Sequence, residues 1–196
     1  MPKTTITATN SVPSAATFTD ATFLRAQEIA ASSFQPLWIG PSGEVSSGEA
    51  VARHLEATIA LLEKDGWIRV YDYGKDWSAG SDLADDDSMT VKSMLRALIR
   101  FVRNESGTDP QRTLSTALRH VGEAGAHGDT DTAYVAGFVL DRVIQAHTGS
   151  DSARAMPWSE RQHRTHADVT ALLTAGARFA RTYGPGQEAA AVWHQY

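Results

Sequence analysis

Residues 46–67 read SSGEAVARHLEATIALLEKDGW, and this stretch decides the fold class. Val51, Leu55, Ile59 and Leu62 recur at spacings of four, four and three, which places them on one stripe of a 3.6-residue period, while Arg53, Glu56, Glu63 and Lys64 fall mostly elsewhere. The pattern predicts a helix with one buried face. Ser46 and Glu49 stand in the capping-box relation, serine oxygen to N3 amide and glutamate back to the serine amide. At the other end, Gly66 is expected to close the helix in the left-handed conformation, with Trp67 folded back onto Leu62 in a Schellman turn.

Toward the C-terminus, Trp67 to Tyr73 is rich in strand formers and Gly74-Lys75 offers a turn, leaving room for one small β-hairpin. Asp82, Asp85, Asp86 and Asp87 lead into a second helical stripe of Val91, Met94, Leu95, Leu98 and Val102. Asp109-Pro110 reads as cap and N1 proline for a helix carrying Leu114, Leu118 and Val121. Past Gly122, Gly125 and Gly128, Asp129 or Thr130 caps a helix whose Tyr134, Val135, Phe138, Val139, Val143 and Ile144 are spread so widely that it is expected to be nearly surrounded. Gly137 inside it costs about 1 kcal/mol relative to alanine, which predicts a close helix crossing there. Thr165 with Asp168 starts a last helix of Val169, Leu172, Leu173, Phe179 and Ala180, stopped at Gly184-Pro185-Gly186.

Toward the N-terminus, Thr19 or Asp20 caps a short helix through Phe23, Ile29 and Ala30, with Phe18 placed to staple its first turn. The apolar, proline-bounded segment from Phe34 to Pro41 reads as extended chain lying across the core. The expectation is a mainly α, compact orthogonal or bundle-like domain of five to six helices over residues 18–184. Residues 1–17 read as an arm, poor in large apolar groups, and residues 185–196 as a tail whose Val192, Trp193 and Tyr196 favour docking.

The run HLEATIALLEKDGW resembles the opening of an uncharacterised domain family of high-GC bacteria and their mobile elements, in which an amphipathic helix ends in glycine-tryptophan. Pro157-Trp158-Ser159, followed by Arg164-Thr165 and the helix of Val169, Leu172 and Leu173, is similar to that family's tryptophan loop and closing helix. The resemblance spans about residues 51–182 and implies a fold; the family has no activity to carry over.

With 196 residues and 42% hydrophobic content the chain can bury a core, and its net charge of −5 disfavours broad capture of nucleic acid. No apolar run approaches the ~18 to 20 residues of a membrane span, and the polar start lacks a signal-peptide core, so the expectation is a cytoplasmic protein with no membrane contact.

Three constellations could carry function. In a cysteine-free chain a metal needs His, Asp or Glu, and His127, Asp129 and Asp131 in one loop with His163, His166 and Asp168 in another would supply a centre if the loops converged. Asp129 and Asp168 are equally well explained as helix cap and first-turn acid. Lys92, Arg96, Arg100 and Arg103 form a basic stripe that could track phosphates, as a small nucleic-acid-binding regulator would; a solvated helix face accounts for it as well. Trp38, Trp77, Trp158, Trp193 and Tyr196 fall in loops or ends, where rings either seal a core edge or anchor a partner. Nucleophile-elbow, phosphate-loop and H-E-x-x-H signatures are absent. The sequence therefore favours a non-catalytic protein working by contact with a protein partner or a second copy, with no cofactor, ahead of a metal-dependent enzyme.

Overall fold

A computed structural model of the chain describes residues 15–70 and 111–186, together with Thr90, Val91 and Leu95. Among the described residues the chain forms six helices: α1 (Asp20–Ser32), α2 (Gly48–Asp65), α3 (Leu114–Ala124), α4 (Thr130–Thr148), the short α5 (Ala155–Ser159) and α6 (His166–Tyr183). Local chemistry explains most of the starts. Thr19, Ser47, Thr113, Asp129 and Thr165 each accept a hydrogen bond from the backbone N–H three residues on. At Thr165 the box is reciprocal, because the Asp168 carboxylate accepts from the Thr165 N–H at 2.9 Å.

The architecture is built around α4, which packs against all five other helices. Val135, Ala136, Val139, Leu140, Val143 and Ile144 are each fully buried. They meet Val51, Leu55 and Leu62 of α2 and Val169, Leu172, Leu173 and Phe179 of α6 in one hydrophobic core, completed by Trp158. The expected surrounded helix is there, with one side left open among the described residues. Tyr134, placed in the core by its sequence pattern, is 39% exposed.

The expected close crossing exists at a different glycine. A Cβ at Gly137 would meet nothing within 4 Å, whereas one at Gly176 of α6 would lie 2.6 Å from Leu140 Cδ2 and 3.1 Å from Leu55 Cδ1. Gly176 is where α2, α4 and α6 meet, and the missing side chain makes room for two leucines.

Both ends of α2 depart from expectation. Its cap is Ser47, not Ser46, with Ser47 Oγ accepting from Ala50 N–H at 3.2 Å. The end of α6 sets this start: Gly48 N–H donates to the Pro185 carbonyl at 2.9 Å, and a side chain on Gly48 would strike the Ala180 carbonyl oxygen. Glu49, released from box duty, pairs with Arg53 at 3.0 Å and Arg181 at 2.9 Å. At the other end Gly66 takes φ 88° with ψ 149°, so the chain leaves extended instead of folding back in a Schellman turn. Trp67 then forms a parallel bridge with Arg112, and Arg112 Nε donates to Asp65 at 2.8 Å.

The small hairpin expected at residues 67–75 lies partly outside the described residues, and its first strand residue pairs with Arg112 instead. A hairpin-like turn appears earlier, where Ile39 bridges Val45 antiparallel and Gly43 turns the chain at φ 92°. The Asp131 carboxylate fastens this turn to α4 by accepting from the Ser42 N–H and hydroxyl. The helix expected from Pro110 starts at Leu114, because residues 111–113 are extended beside Trp67 and Ile68; Asp109 and Pro110 lie outside the described residues. Phe18 sets its ring against His147 at 4.7 Å and Trp158 at 6.4 Å. None of the described helices is long and apolar enough to cross a membrane.

Candidate contact site

The two histidine and aspartate loops do not form a metal centre: among the described residues no group of three or more His, Asp or Glu side chains could hold an ion. The carboxylates are already engaged. Asp129 caps α4, accepting from the Thr132 N–H at 2.8 Å and hydroxyl at 2.9 Å, and the backbone donor holds its carboxyl below the ordinary range. Asp131 holds the Ser42 turn. Burial acts to raise the Asp168 carboxyl, but donors from Thr165 and Ala16 outweigh it and keep it low. The loops also stand apart. The His127 carbonyl lies against His54 in the first half of α2, while His166 stacks on Trp67 beyond its other end. Along a helix at 1.5 Å per residue that is a separation of about 20 Å. His163 is exposed.

The tryptophans that are described belong to the core. Trp158 is 1% exposed with the Arg164 guanidinium 3.9 Å above its ring, and Trp38 stacks on Phe179 at 6.3 Å and 13°. Trp158 is sealed inside the packing, and Trp38 is half-buried against it. Trp77, Trp193, Tyr196 and the basic stripe of Lys92, Arg96, Arg100 and Arg103 lie outside the described residues.

What the sequence reading missed is the open side of α4. Leu118 of α3, Ala133, Tyr134, Gly137 and Phe138 of α4, and Met156 and Pro157 beside them line an apolar trough of about 560 Å³. The Tyr134 ring meets Phe138 edge-on at 4.7 Å, forming one wall. Gly137 leaves space between the walls, since nothing approaches its Cβ position within 4 Å. Arg119 and Arg154 stand at the rim, 3.6 Å from Glu123 and 3.5 Å from Asp141 respectively. Burial pushes the Asp141 carboxyl up, against the Ala155 N–H that donates to it at 2.7 Å. A signal was present: Thr130, Tyr134, Gly137 and Asp141 follow helical spacing and mix polar residues with a glycine, unlike the apolar remainder of α4.

This geometry sits within a recognised sequence unit, because the model of DUF6197, a family of unknown function, matches residues 46–179, more than half of the chain. The chain belongs to that family. The DUF6197 match takes in α2 and most of α6, and with them the whole trough; α1 and Phe34 precede it. No curated protein and no solved structure matches the chain.

One buried titratable group in the DUF6197 region also escaped the sequence reading. His54 is fully buried, with Nδ1 3.2 Å from the His127 carbonyl and Nε2 3.1 Å from the Leu118 carbonyl. A neutral imidazole owns one N–H, so only one of these carbonyls receives a hydrogen bond. Burial pushes the His54 pKa down, opposed by the two carbonyls and by Asp129. The ring stands between α2, α3, whose Leu118 lines the trough, and the α3–α4 turn. Its place between Val51, Leu55 and Thr58 on the buried face of α2 was the available sign.

Proposed function

We propose that this chain is a non-catalytic, cytoplasmic, cofactor-free protein that works by protein–protein contact, and that the trough between α3, α4 and α5 is its contact surface. One observation carries the reading: the concave, apolar opening is made by the exposed side of the helix that organises the core. Its volume falls within the range of about 300–1,000 Å³ typical of binding sites, and its open shape suits an apolar side chain or helix face from a partner. The engagement of Asp129, Asp131 and Asp168 in caps and turns supports contact over metal chemistry. Trp77, Trp193 and Tyr196 belong to the same proposal as further anchors, with residues 1–17 as an arm and 185–196 as a tail beside the helical domain. The origin in high-GC bacteria and their mobile elements that the resemblance implies is part of it too.

Gly137→Leu tests the reading. The new side chain fills the trough from its floor without touching existing atoms at its Cβ. Wild-type and Gly137→Leu baits are compared for what they recover from source cells. Loss of a protein with the variant supports the contact surface; identical recovery by both overturns it.

A further inference from the structure

The loop between α5 and α6 reads RQHRTH over residues 161–166, and it gathers cations that no described carboxylate neutralises. Arg164 N–H donates to the Arg161 carbonyl at 2.9 Å, closing a turn that holds the two Cα atoms within about 7 Å of each other. Arg69 joins them from the chain that leaves α2. Its Nη1 donates to the Gln162 carbonyl at 2.7 Å, and two residues earlier Trp67 stacks on His166 at 6.4 Å. Among the described residues none of Arg69, Arg161 and Arg164 lies within ion-pair distance of a carboxylate. Asp168 is spent on the Thr165 N–H and hydroxyl and on the Ala16 N–H, and the exposed Glu160 pairs with none of the three.

A second observation is independent of net charge. Five buried side-chain polar atoms have no hydrogen-bond partner among the described residues, and four of them belong to this loop or to rings against it: Arg164 Nε, Trp158 Nε1, His166 Nε2 and Trp67 Nε1. Indole and guanidinium N–H groups only donate, so what the region lacks is an acceptor. The Arg164 guanidinium stands 3.9 Å above the buried Trp158 ring, which fixes its position. Burial lowers the Arg164 pKa; Asp168 opposes this and the like charge of Arg161 adds to it, so an anion arriving there would relieve the group. Three cations and an excess of donors suit a ligand group with two charges and several acceptor oxygens, which is phosphate and not carboxylate.

We infer that this loop is a phosphate site, in which Arg164 takes two oxygens of a phosphate group while Arg161 and Arg69 supply charge beside it, the ligand being inorganic phosphate or a small phosphate monoester. None of these residues lines the trough, so the site stands or falls separately from the contact surface.

The test is isothermal titration calorimetry of the purified full chain with sodium phosphate, with glycerol phosphate and with sodium acetate, each against sodium chloride at the same ionic strength. Saturable binding of at least one phosphate compound, with acetate weaker, is expected. The tighter of the two identifies the source: inorganic phosphate a free anion, glycerol phosphate an ester. Arg164→Gln is expected to weaken binding at least about tenfold, and the double variant Arg69→Gln/Arg161→Gln at least about threefold. Arg25→Gln, which removes an exposed arginine of α1, is expected to change nothing. Circular dichroism verifies the folds; Arg69 and Arg161 are exposed, so the double variant decides alone if the loss of Arg164 from above Trp158 unfolds the chain. Heats no larger than those of sodium chloride overturn the inference. So does acetate binding as tightly as phosphate, or binding that the loop variants leave unchanged or that Arg25→Gln weakens equally.

Discussion

Gly176 and Gly137 sit midway along two core helices and look alike in sequence, yet their surroundings are opposite. At Gly176 a Cβ would lie 2.6 Å from Leu140 Cδ2, so the residue is a contact point through which α2, α4 and α6 close on one another. At Gly137 there is nothing within 4 Å, and the missing side chain opens a trough on a side of α4 that no described residue covers. A helical glycine is destabilising by itself, so each needs a reason, and the two reasons differ: one lies in packing, the other in surface shape. The contrast separates the architecture of the molecule from its candidate site.

The largest effect is expected at the sealed crossing. Leu140→Ala removes the side chain that fills the space at Gly176 and is expected to lower stability by about 2–5 kcal/mol, measured by denaturant unfolding. A loss under 1 kcal/mol would mean the crossing is loosely packed. Gly176→Val, pressing on Leu140 and Leu55, is expected to cost about 1–3 kcal/mol through overpacking in the same assay.

Acidification probes the tie that positions α3 next to the trough. Burial lowers the pKa of both His54 and His147, the latter with help from Arg164. Below the unfolded value of about 6.5 the unfolded chain binds protons that the folded rings do not, so stability is fully present above that pH and falls as pH drops, by up to about 1.4 kcal/mol per unit for the buried His54 and by less for the exposed His147, whose charge water screens. His54→Leu is expected to flatten the slope of stability against pH between about 6.5 and 5; an unchanged slope would remove His54 as its source. The smallest effect, opposite in sign to Gly176→Val, belongs to the open site: Gly137→Ala is expected to stabilise by about 0.5–1 kcal/mol, since alanine favours the helix and meets no neighbour. Destabilisation there would mean that Gly137 is packed after all.

Much of this fold is legible residue by residue. The α2 stripe, the α4 core pattern apart from Tyr134 and Phe138, and the Thr165–Asp168 box are where the spacing puts them, because each depends on groups within a turn or two of one another. The errors have a common cause. Ser46 was displaced as cap by Ser47 because α6 presses on Gly48, and Gly66-Trp67 runs extended because Arg112 offers a bridge. His127, Asp129, Asp131, His163, His166 and Asp168 looked like a ligand set because sequence reports composition and not separation; the length of α2 holds the two loops apart. Trp38 and Trp158 looked available because they lie in or next to loops; Trp158 is buried beneath Arg164, and Trp38 is half-buried on Phe179 of α6.

The sequence by itself determined a helical chain built on a capped amphipathic α2 and a largely apolar α4, since periodicity and capping are local properties that no distant residue needs to supply. Only the tertiary structure decided which glycine is a crossing and which is the floor of a trough, which carboxylates are spent on caps, and which rings face outward. Each of those outcomes depends on what another part of the chain places within a few ångströms, and no spacing along the chain encodes that distance.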